Sequence, residues 1–466
     1  MPSFHSEPFL QLAGLTHKTA LITWGAFYFK VKDSGASFKL VDDGDLDDIH
    51  PPRKSTIGAS SASYGPARVE VFDKSGNLVS SASTTSANFC WVSGLEADTE
   101  YTYRVTVKGD QWGRDERRDW ATSDGQKGLR QIGNRYVNRF RTFPDPTRPV
   151  STPVTFAIIG DFGTGIKEHD RPQRKVADAL KRAVDSHDVR FILTTGDNIY
   201  ASKKFFGIPI GGQGDEDDDW YFTYYQPYRY IINRIPVYPS IGNHDSSETE
   251  DREDRDQVID NFHIAERIKG EEAAGRASTD PGLFYRFRYG SDIEFICIDS
   301  SRESIFSPRM YKHPKHADFL NKAFPSENTT ESPAPLWRIP FLHHPPFCAG
   351  PTHHNTPGME ELVQRFQLAG VRAVFSGHEH NFQHSLFDGM NCFITGAGGK
   401  LRPDPPTRFQ EAKTVSWAAA LHFLLVTIDG KRMTIRAVGT DGKTLQDIVR
   451  TPLSGGGVST PIVITQ

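Results

Sequence analysis

Five loops of the sequence carry side chains that can bind metal ions, and each follows an apolar run typical of a buried strand. The residues are Asp161 in GDFG, Asp197 in GDNIY, Asn243 in GNHD, His344 in LHHPP and His378 in GHEH. Carboxylate and imidazole ligands together suit iron, zinc or manganese better than calcium or magnesium. Any one of these motifs is common as a turn or helix cap. All five together predict that the loops converge on bound metal.

The order of the motifs resembles the calcineurin-like metallophosphoesterases. Their blocks GD, GDxx, GNH, H and GHxH all occur in that order between about residues 154 and 384. Two details are similar to the purple acid phosphatases within that group. Tyr200 stands three residues after Asp197, and Phe162-Gly163 replaces the His that many other members carry after the first Asp. The resemblance implies a dinuclear centre of Fe(III) and a divalent metal, which is Zn, Fe or Mn.

The resemblance also implies a ligand set for each metal. Iron(III) would be bound by Asp161, Asp197, Tyr200 and His380, and the divalent ion by Asp197, Asn243, His344 and His378. A phenolate needs a highly charged ion to stay deprotonated near neutral pH, which favours iron(III) beside Tyr200. Because the family's histidine precedes a proline by two residues, HHPP favours His344, with His343 as the alternative.

Three further histidines are candidate catalytic residues. The resemblance implies that His244, His353 and His354 contact the substrate phosphate, and that His353 or His354 protonates the leaving group. For the adjacent pair the competing interpretation is an exposed loop without a catalytic role. The implied reaction is hydrolysis of a phosphate monoester by a metal-bridging hydroxide, as in a metal-dependent acid phosphatase, with no covalent enzyme intermediate.

Two other functions compete with the phosphomonoesterase. A phosphodiesterase or nucleotide pyrophosphatase of the same superfamily would use the same inner ligands, because pocket width decides between these substrates. A binding or adhesion protein with an inactive phosphatase-like domain is the other alternative. Inactive relatives usually lose ligands, and every ligand position is filled here. The sequence therefore favours an enzyme, whose substrate is a small-molecule phosphate ester.

The pattern of elements predicts how the loops are held. From Val154 onward, apolar strand-like runs alternate with helical stretches such as Arg171–Val184, and LHFLLVTID, MTIRAVGT and TLQDIVR end the chain as antiparallel strands. This predicts an α/β fold. The resemblance implies a four-layer α+β metallophosphoesterase sandwich of two β-sheets flanked by helices. Open α/β sheets bind ligands at the carboxyl ends of their strands, where these loops begin.

The first 150 residues are predicted to form a separate all-β sandwich domain, with residues 151–466 as the catalytic domain. Alternating runs occur at Lys18–Trp24, Ala67–Phe72, Ser86–Val92 and Thr99–Val107. The phrase VSGLEADTEYTYRV resembles a fibronectin type III strand pair. The region contains no catalytic constellation, so packing or spacing is its expected role. A Pro-rich polar stretch at Asn138–Thr152 is the expected linker.

Composition limits the partners. A net charge of −4 argues against a nucleic-acid partner, and no stretch approaches the length of a membrane span. The four cysteines form no CxxC motif, which argues against a cysteine zinc site. No signal peptide is visible, so the sequence as written predicts a cytoplasmic protein, although the family is usually secreted or periplasmic. Localisation and oligomeric state stay open.

Overall fold

The structure is a computed structural model of the 466-residue chain. It describes residues 3–31, 38–40, 65–113, 118–121, 128–131, 136–166, 172–200, 203–205, 208–210, 220–246, 253–273, 284–302, 306–325, 334–440 and 461–466. The stretch TLQDIVR, predicted as a strand, lies outside these residues. None of the helices in this part of the chain is long and apolar enough to cross a membrane.

The described part of the N-terminal region, up to residue 150, is all β. Its strands are β1 (Ser3–Leu15), β2 (Ala20–Val31), β3 (Phe38–Leu40), β4 (Ala67–Phe72), β5 (Leu78–Thr84), β6 (Phe89–Val92), β7 (Glu100–Val107), β8 (Asp110–Trp112), β9 (Arg118–Ala121), β10 (Gly128–Gln131) and β11 (Arg139–Arg141). One antiparallel sheet has the order β1-β2-β3, with β6 on β2, and another has β11-β7-β4-β5, with β8 on β7. The all-β prediction is confirmed, and the fibronectin type III likeness stays a prediction.

The C-terminal region, from residue 151, contains fifteen further strands among the described residues. They are β12 (Val154–Ile159), β13 (Val189–Thr194), β14 (Lys203–Phe205), β15 (Ile208–Ile210), β16 (Val237–Tyr238), β17 (Tyr285–Tyr289), β18 (Ile293–Cys297), β19 (Trp337–Phe341), β20 (Ala373–Ser376), β21 (Phe382–Phe387), β22 (Met390–Thr395), β23 (Thr414–Ala418), β24 (His422–Asp429), β25 (Arg432–Gly439) and β26 (Ile462–Thr465).

Helices flank these strands. They are α1 (Pro172–Ser186), a π-helix (Tyr221–Tyr225) that continues into α2 (Gln226–Ile232), α3 (Glu253–Asn261), α4 (Ile264–Ala273), a 3-10 turn (Met310–Lys312) before α5 (Pro314–Ala323), and α6 (Glu360–Leu368). Helix α1 was predicted from its apolar periodicity, and it buries Val176 and Leu180 on one face.

Two mixed sheets form the centre of the C-terminal region. Sheet I has the order β16-β13-β12-β24-β25-β26, and sheet II has the order β17-β18-β19-β20-β22-β21-β23. Strands β12, β13 and β16 run parallel, as do β18, β19, β20 and β22. An aromatic core joins the sheets, where the ring of Phe295 lies 5.1 Å from that of Phe156 and 4.9 Å from that of Phe191. The predicted α/β sandwich is confirmed.

The N-terminal region packs tightly against the C-terminal region. The ring centroid of Phe9 in β1 lies 4.0 Å from that of Tyr225, and the ring of Phe27 in β2 lies 4.9 Å from that of Tyr221. The hydroxyl of Tyr103 donates a hydrogen bond to the backbone carbonyl of Asn233. The two regions therefore share a buried core, and a boundary at residue 150 stays a prediction.

Candidate metal centre

The predicted ligands lie at one end of both sheets. In sheet I, Asp161 follows β12, Asp197 follows β13 and Asn243 follows β16. In sheet II, HHPP follows β19 and GHEH follows β20. Because the parallel strands in each sheet end at the same edge, side chains far apart in sequence meet there. The sequence prediction that these loops converge is therefore realised in the geometry.

Three of the predicted ligands have a backbone conformation that is unfavourable for residues other than glycine. The φ angle is +53° at Asp161, +50° at Asp197 and +73° at His378. Such residues persist only where the surrounding structure holds them, and they cluster at functional sites. The neighbouring glycines allow close approach. A Cβ atom on Gly242 would lie 2.2 Å from Asp197 Oδ1, and one on Gly377 would lie 2.4 Å from Asp161 Oδ2.

The first group of ligand atoms is formed by Asp161, Asp197, Tyr200 and His380. One ligand atom each from Asp161, Asp197 and His380 lies within 4.8 Å of the others. The Tyr200 hydroxyl donates to Asp161 Oδ1 at 3.3 Å and lies 3.1 Å from His380 Nε2. All four side chains are buried. This group contains every residue that the sequence assigned to iron(III).

The second group is centred on His343. Its Nε2 lies 2.9 Å from Asn243 Oδ1, 3.1 Å from His378 Nδ1 and 3.4 Å from Asp197 Oδ1. Its other nitrogen, Nδ1, lies 2.8 Å from the carbonyl oxygen of Thr195. A carbonyl that accepts from Nδ1–H fixes the ring and directs Nε2 toward the cluster, as in many metal-binding histidines. Asp197 borders both groups.

His344, which the sequence preferred over His343, also belongs to this neighbourhood. A nitrogen of His344 lies within 4.8 Å of nitrogens of His343 and His378. Its Nδ1 lies 3.0 Å from Ser300 Oγ, which also accepts the backbone N–H of His344 at 2.9 Å. The ring is thus oriented by Ser300, which lies in the loop after β18. Both histidines of HHPP remain candidate ligands on distance alone.

Burial holds three imidazoles of the site, those of His344, His378 and His380, in the neutral form that can bind a metal. Burial lowers the pKa of His380 to about 2, with the positive charges of Arg402 and Lys400 adding to the effect. Burial and the neighbouring histidines lower the pKa values of His344 and His378 well below the ordinary 6.5. A neutral imidazole offers a lone pair to a cation.

The acidic groups of the site differ in the direction of their pKa shifts. Burial raises the pKa of Asp161 well above its ordinary value, with His343 opposing and Asp197 adding to that rise. Burial also raises the pKa of the Tyr200 hydroxyl well above 10, together with the charge of Asp197. At Asp197, burial is outweighed by the attraction of His343 and His244, which holds the pKa of that carboxyl below 3.8. Nearby metal cations would offset the cost of ionising Asp161 and Tyr200 in this buried site.

The donor set fits two metal ions of different character. Buried carboxylates are costly unless they are paired or coordinate a metal. The first group offers a phenol and two carboxylates, all hard oxygen donors, with one imidazole. The second offers imidazoles and the amide oxygen of Asn243 around the carboxylate of Asp197. Hard oxygens suit a trivalent ion, whereas imidazoles suit a divalent transition metal.

The candidate catalytic histidines border these groups. The ring of His244 lies 4.5 Å from that of Tyr200, and its backbone N–H donates to Asp197 Oδ1 at 3.0 Å. The ring of His353 stacks on that of His378, with centroids 3.7 Å apart. His354 is exposed to solvent. His244 and His353 are therefore adjacent to the ligand cluster, and His354 lies farther toward solvent.

Asp245 is a buried acid that was not among the predicted site residues, and it connects two of the ligand loops. Asp245, the last residue of GNHD, accepts the backbone N–H groups of Asn198 and Ile199 at 3.1 Å and of Gly242 at 2.9 Å. Burial raises its pKa to about 7, with the charge of Asp197 adding to the rise. Its position directly after His244 was the available clue.

A second overlooked network supports His353. Glu379, between the two histidines of GHEH, accepts the backbone N–H of His353 at 2.7 Å and Arg402 Nη1–H at 3.0 Å. Arg402 Nη1 also lies 3.0 Å from His353 Nδ1. Burial alone would raise the pKa of Glu379, but the hydrogen bonds from His353 and the charge of Arg402 lower it to about 2. The ionised carboxylate fixes the ring of His353 against His378.

Comparison with known proteins agrees with this geometry. Residues 154–382 match the family model of the calcineurin-like phosphoesterases. The chain contains a calcineurin-like phosphoesterase domain. A short segment of 40 residues is 48% identical to the serine/threonine-protein phosphatase CPPED1 of Danio rerio. That segment is 9% of this chain and spans only 13% of the zebrafish protein's length. The match is therefore too short to indicate a function for the whole chain.

Two solved structures resemble this chain along nearly its whole length. Purple acid phosphatase PPD1 from yellow lupin (Lupinus luteus) is 14% identical, with a TM-score of 0.57 over 100% of this chain and 74% of that one. A structure of PhoD is 13% identical, with a TM-score of 0.57 over 98% of this chain and 95% of that one. At these identities the likeness establishes the fold and leaves the reaction to the site residues.

Proposed function

We propose that the chain is a metal-dependent phosphomonoesterase with Fe(III) and a divalent metal, which is Zn, Fe or Mn. The observation that carries the proposal is the convergence of two groups of ligand atoms that border one carboxylate, Asp197. A hydroxyl of Tyr200 within 3.3 Å of Asp161 and 3.1 Å of His380 is the feature that favours iron(III). The family match limits the reaction to phosphate esters.

The divalent metal would be bound by His343. Its Nε2 approaches both Asn243 and Asp197, and Thr195 engages its Nδ1. Ser300 orients His344, which we place beside the site as the alternative ligand. This assignment reverses the preference drawn from the spacing to proline, because both prolines of HHPP follow a histidine by two residues. The remaining ligands are those assigned from the sequence.

The protein's own side chains bind and orient the substrate. When bound, the two metals would polarise a phosphoryl oxygen and make a water molecule nucleophilic. His244 lies beside Tyr200 and His353 lies beside His378, where they can donate hydrogen bonds to a phosphate. The contacts of His353 with Arg402 and Glu379 engage Nδ1, so Nε2 is the atom left to donate a proton to the leaving group.

The visible spectrum and metal content of the purified protein test the metal assignment. A phenolate bound to iron(III) gives a charge-transfer colour, which we expect in the wild type and not in Tyr200→Phe. Tyr228→Phe is the matched control, because Tyr228 is also buried but contacts Phe162 at 5.5 Å rather than the ligand atoms. A colourless, active enzyme that contains only zinc or manganese would contradict the iron(III) assignment.

Rates with p-nitrophenyl phosphate and bis-p-nitrophenyl phosphate test the substrate class. The two compounds share a leaving group, so their ratio reports preference for a monoester or a diester. We expect the monoester to be hydrolysed faster, and Asp197→Ala to abolish both reactions together with metal binding. Faster hydrolysis of the diester would instead favour the phosphodiesterase. Absence of turnover by the metal-loaded wild type would favour a binding role for the chain.

A further inference from the structure

The segment Gly396–Arg402, with the sequence GAGGKLR, follows β22 and brings two cations to the metal centre. Its backbone is bonded to the ligand loops. Gly398 N–H donates to the carbonyl of Gly160 at 2.9 Å, and Gly399 N–H donates to the carbonyl of Asp161 at 3.0 Å. Arg402 N–H donates to the carbonyl of His380 at 2.9 Å. The segment is therefore held by the same loops that carry the ligands.

The glycines of this segment permit an approach that no other residue could make. A Cβ atom on Gly398 would lie 2.6 Å from the carbonyl oxygen of Gly160, and one on Gly399 would lie 2.4 Å from that of Phe162. Both distances are shorter than a carbon and an oxygen tolerate, and the obstructing atoms are backbone. This close packing fixes the position from which Lys400 extends.

Lys400 extends over the ring of Tyr200. Its Nζ lies 4.6 Å from the centroid of that ring, which is within the range of a cation–π contact. The lysine side chain is exposed, whereas Tyr200 is buried. The ammonium thus lies at the solvent-facing side of the cluster and above the ring face, rather than among the ligand atoms.

The two cations of the segment differ in whether a carboxylate is paired with them. The guanidinium of Arg402 is paired with the carboxylate of Glu379 at 3.0 Å. Lys400 makes no ion pair with any carboxylate in the part of the chain that the structure describes. Its charge is therefore the one that remains available to an anion entering beside Tyr200. Exposed cations of this kind bind anions through charge-assisted hydrogen bonds.

We propose that Lys400 binds a second anionic group of the substrate, so that the enzyme prefers phosphate monoesters with an anion adjacent to the scissile phosphate. The inference rests on the proposed function and names its substrate class. A phosphate bound at the ligand atoms would leave a neighbouring carboxylate or phosphate pointing past Tyr200 toward the ammonium. His353 lies on the His378 side, so it would reach the ester oxygen of the leaving group while Lys400 binds the second anion that the leaving group carries.

The test compares 2-phosphoglycerate with glycerol 2-phosphate, which share a carbon skeleton and differ by a carboxylate in place of a hydroxymethyl group. We expect the wild type to have the higher kcat/KM for 2-phosphoglycerate. The ratio of the two kcat/KM values should fall about 10- to 100-fold in Lys400→Met, the range of one charge-assisted hydrogen bond. Lys400→Arg should retain most of the ratio. Lys431→Met, in the exposed turn between β24 and β25, is the matched control and should retain all of it.

If the wild type is active, two outcomes would overturn the proposal. One is a wild type that does not prefer 2-phosphoglycerate. The other is an equal loss with both substrates in Lys400→Met, which would mean that the lysine only packs on Tyr200. If the wild type hydrolyses neither compound, the proposed function fails, and calorimetric binding of the two compounds to the same variants decides the role of Lys400. Equal affinities in the wild type and Lys400→Met would then overturn it.

Discussion

A buried ion pair connects the N-terminal region to the phosphoesterase domain and gives the sharpest test of how the two are joined. Arg229 in α2 donates from Nη1 to Glu7 Oε2 in β1 at 2.9 Å. Both side chains are only 1% exposed. We expect Arg229→Met to be strongly destabilising, because methionine fills part of the space but leaves the carboxylate of Glu7 buried without the guanidinium.

The expected magnitude follows from this burial. Removing one partner of a buried ion pair costs about 3–5 kcal/mol, because the remaining charge has lost its water and its counter-ion. Replacing both charges by neutral groups costs much less. The double variant Glu7→Gln/Arg229→Met should therefore be more stable than Arg229→Met, by about 2 kcal/mol or more. Lys322→Met is the matched control, since its pair with Asp318 has side chains 68% and 65% exposed.

The assay is urea unfolding of each variant, followed by tryptophan fluorescence and by circular dichroism. For the control we expect a change of at most about 0.5 kcal/mol, as for exposed pairs between residues four apart in a helix. Because the regions share a core, both probes should report one transition in every variant. A loss below about 1 kcal/mol in Arg229→Met, or a double variant less stable than the single one, would refute the reasoning.

Three further outcomes follow from single contacts. Gly242→Ala should lower kcat/KM about 100-fold and reduce bound metal, because its Cβ would lie 2.2 Å from Asp197 Oδ1. Burial lowers the pKa of His422 to about 4, so the folded state excludes a proton that the unfolded state accepts. The free energy of unfolding should thus fall by about 3 kcal/mol as the pH is lowered from about 6.5 to 4. In urea unfolding, His422→Gln should not show this pH-dependent loss. Glu379→Gln should lower kcat about tenfold by loosening His353, with KM little changed in steady-state assays.

Each of these outcomes has a control or a contradicting result. Gly76→Ala, at a glycine with φ of +82° and nothing within 4 Å of a Cβ atom, should cost stability without affecting activity. An unchanged metal content in Gly242→Ala would contradict the packing argument. Equal pH dependence of unfolding in His422→Gln and the wild type would exclude His422 as the titrating group. A rise in KM alone in Glu379→Gln would mean that Glu379 affects substrate binding.

The sequence was sufficient for the architecture around the ligands. Strand β12, with the sequence VTFAII, is buried at every position except the half-buried Thr155, which is typical of a parallel strand inside an α/β sandwich. Strand β13, before GDNIY, is buried at every position, although its sequence VRFILT includes Arg190. Because parallel strands have their carboxyl ends at the same edge of a sheet, recognising the strands was enough to predict that these loops lie together.

Other features depend on contacts that no local pattern contains. Strand β1 was not predicted, because residues 9–15 are buried throughout and show no alternation between polar and apolar positions. Two adjacent histidines at a strand end point in different directions, and the carbonyl of Thr195 rather than the spacing to proline brings His343 to Asn243. Lys400 lies 200 residues from Tyr200, and they meet because the segment after β22 of sheet II is hydrogen-bonded to the loop after β12 of sheet I.

The contacts of the N-terminal region continue into the metal site. Phe27 packs on Tyr221 at the start of the π-helix, and the carbonyl of the next residue, Phe222, accepts the backbone N–H of Ile166 at 3.1 Å. Ile166 lies in the loop that also contains Asp161, whose left-handed conformation is unfavourable unless its neighbours hold it. A β region without catalytic residues can therefore matter to catalysis, because it supports the helix against which this strained loop is bonded.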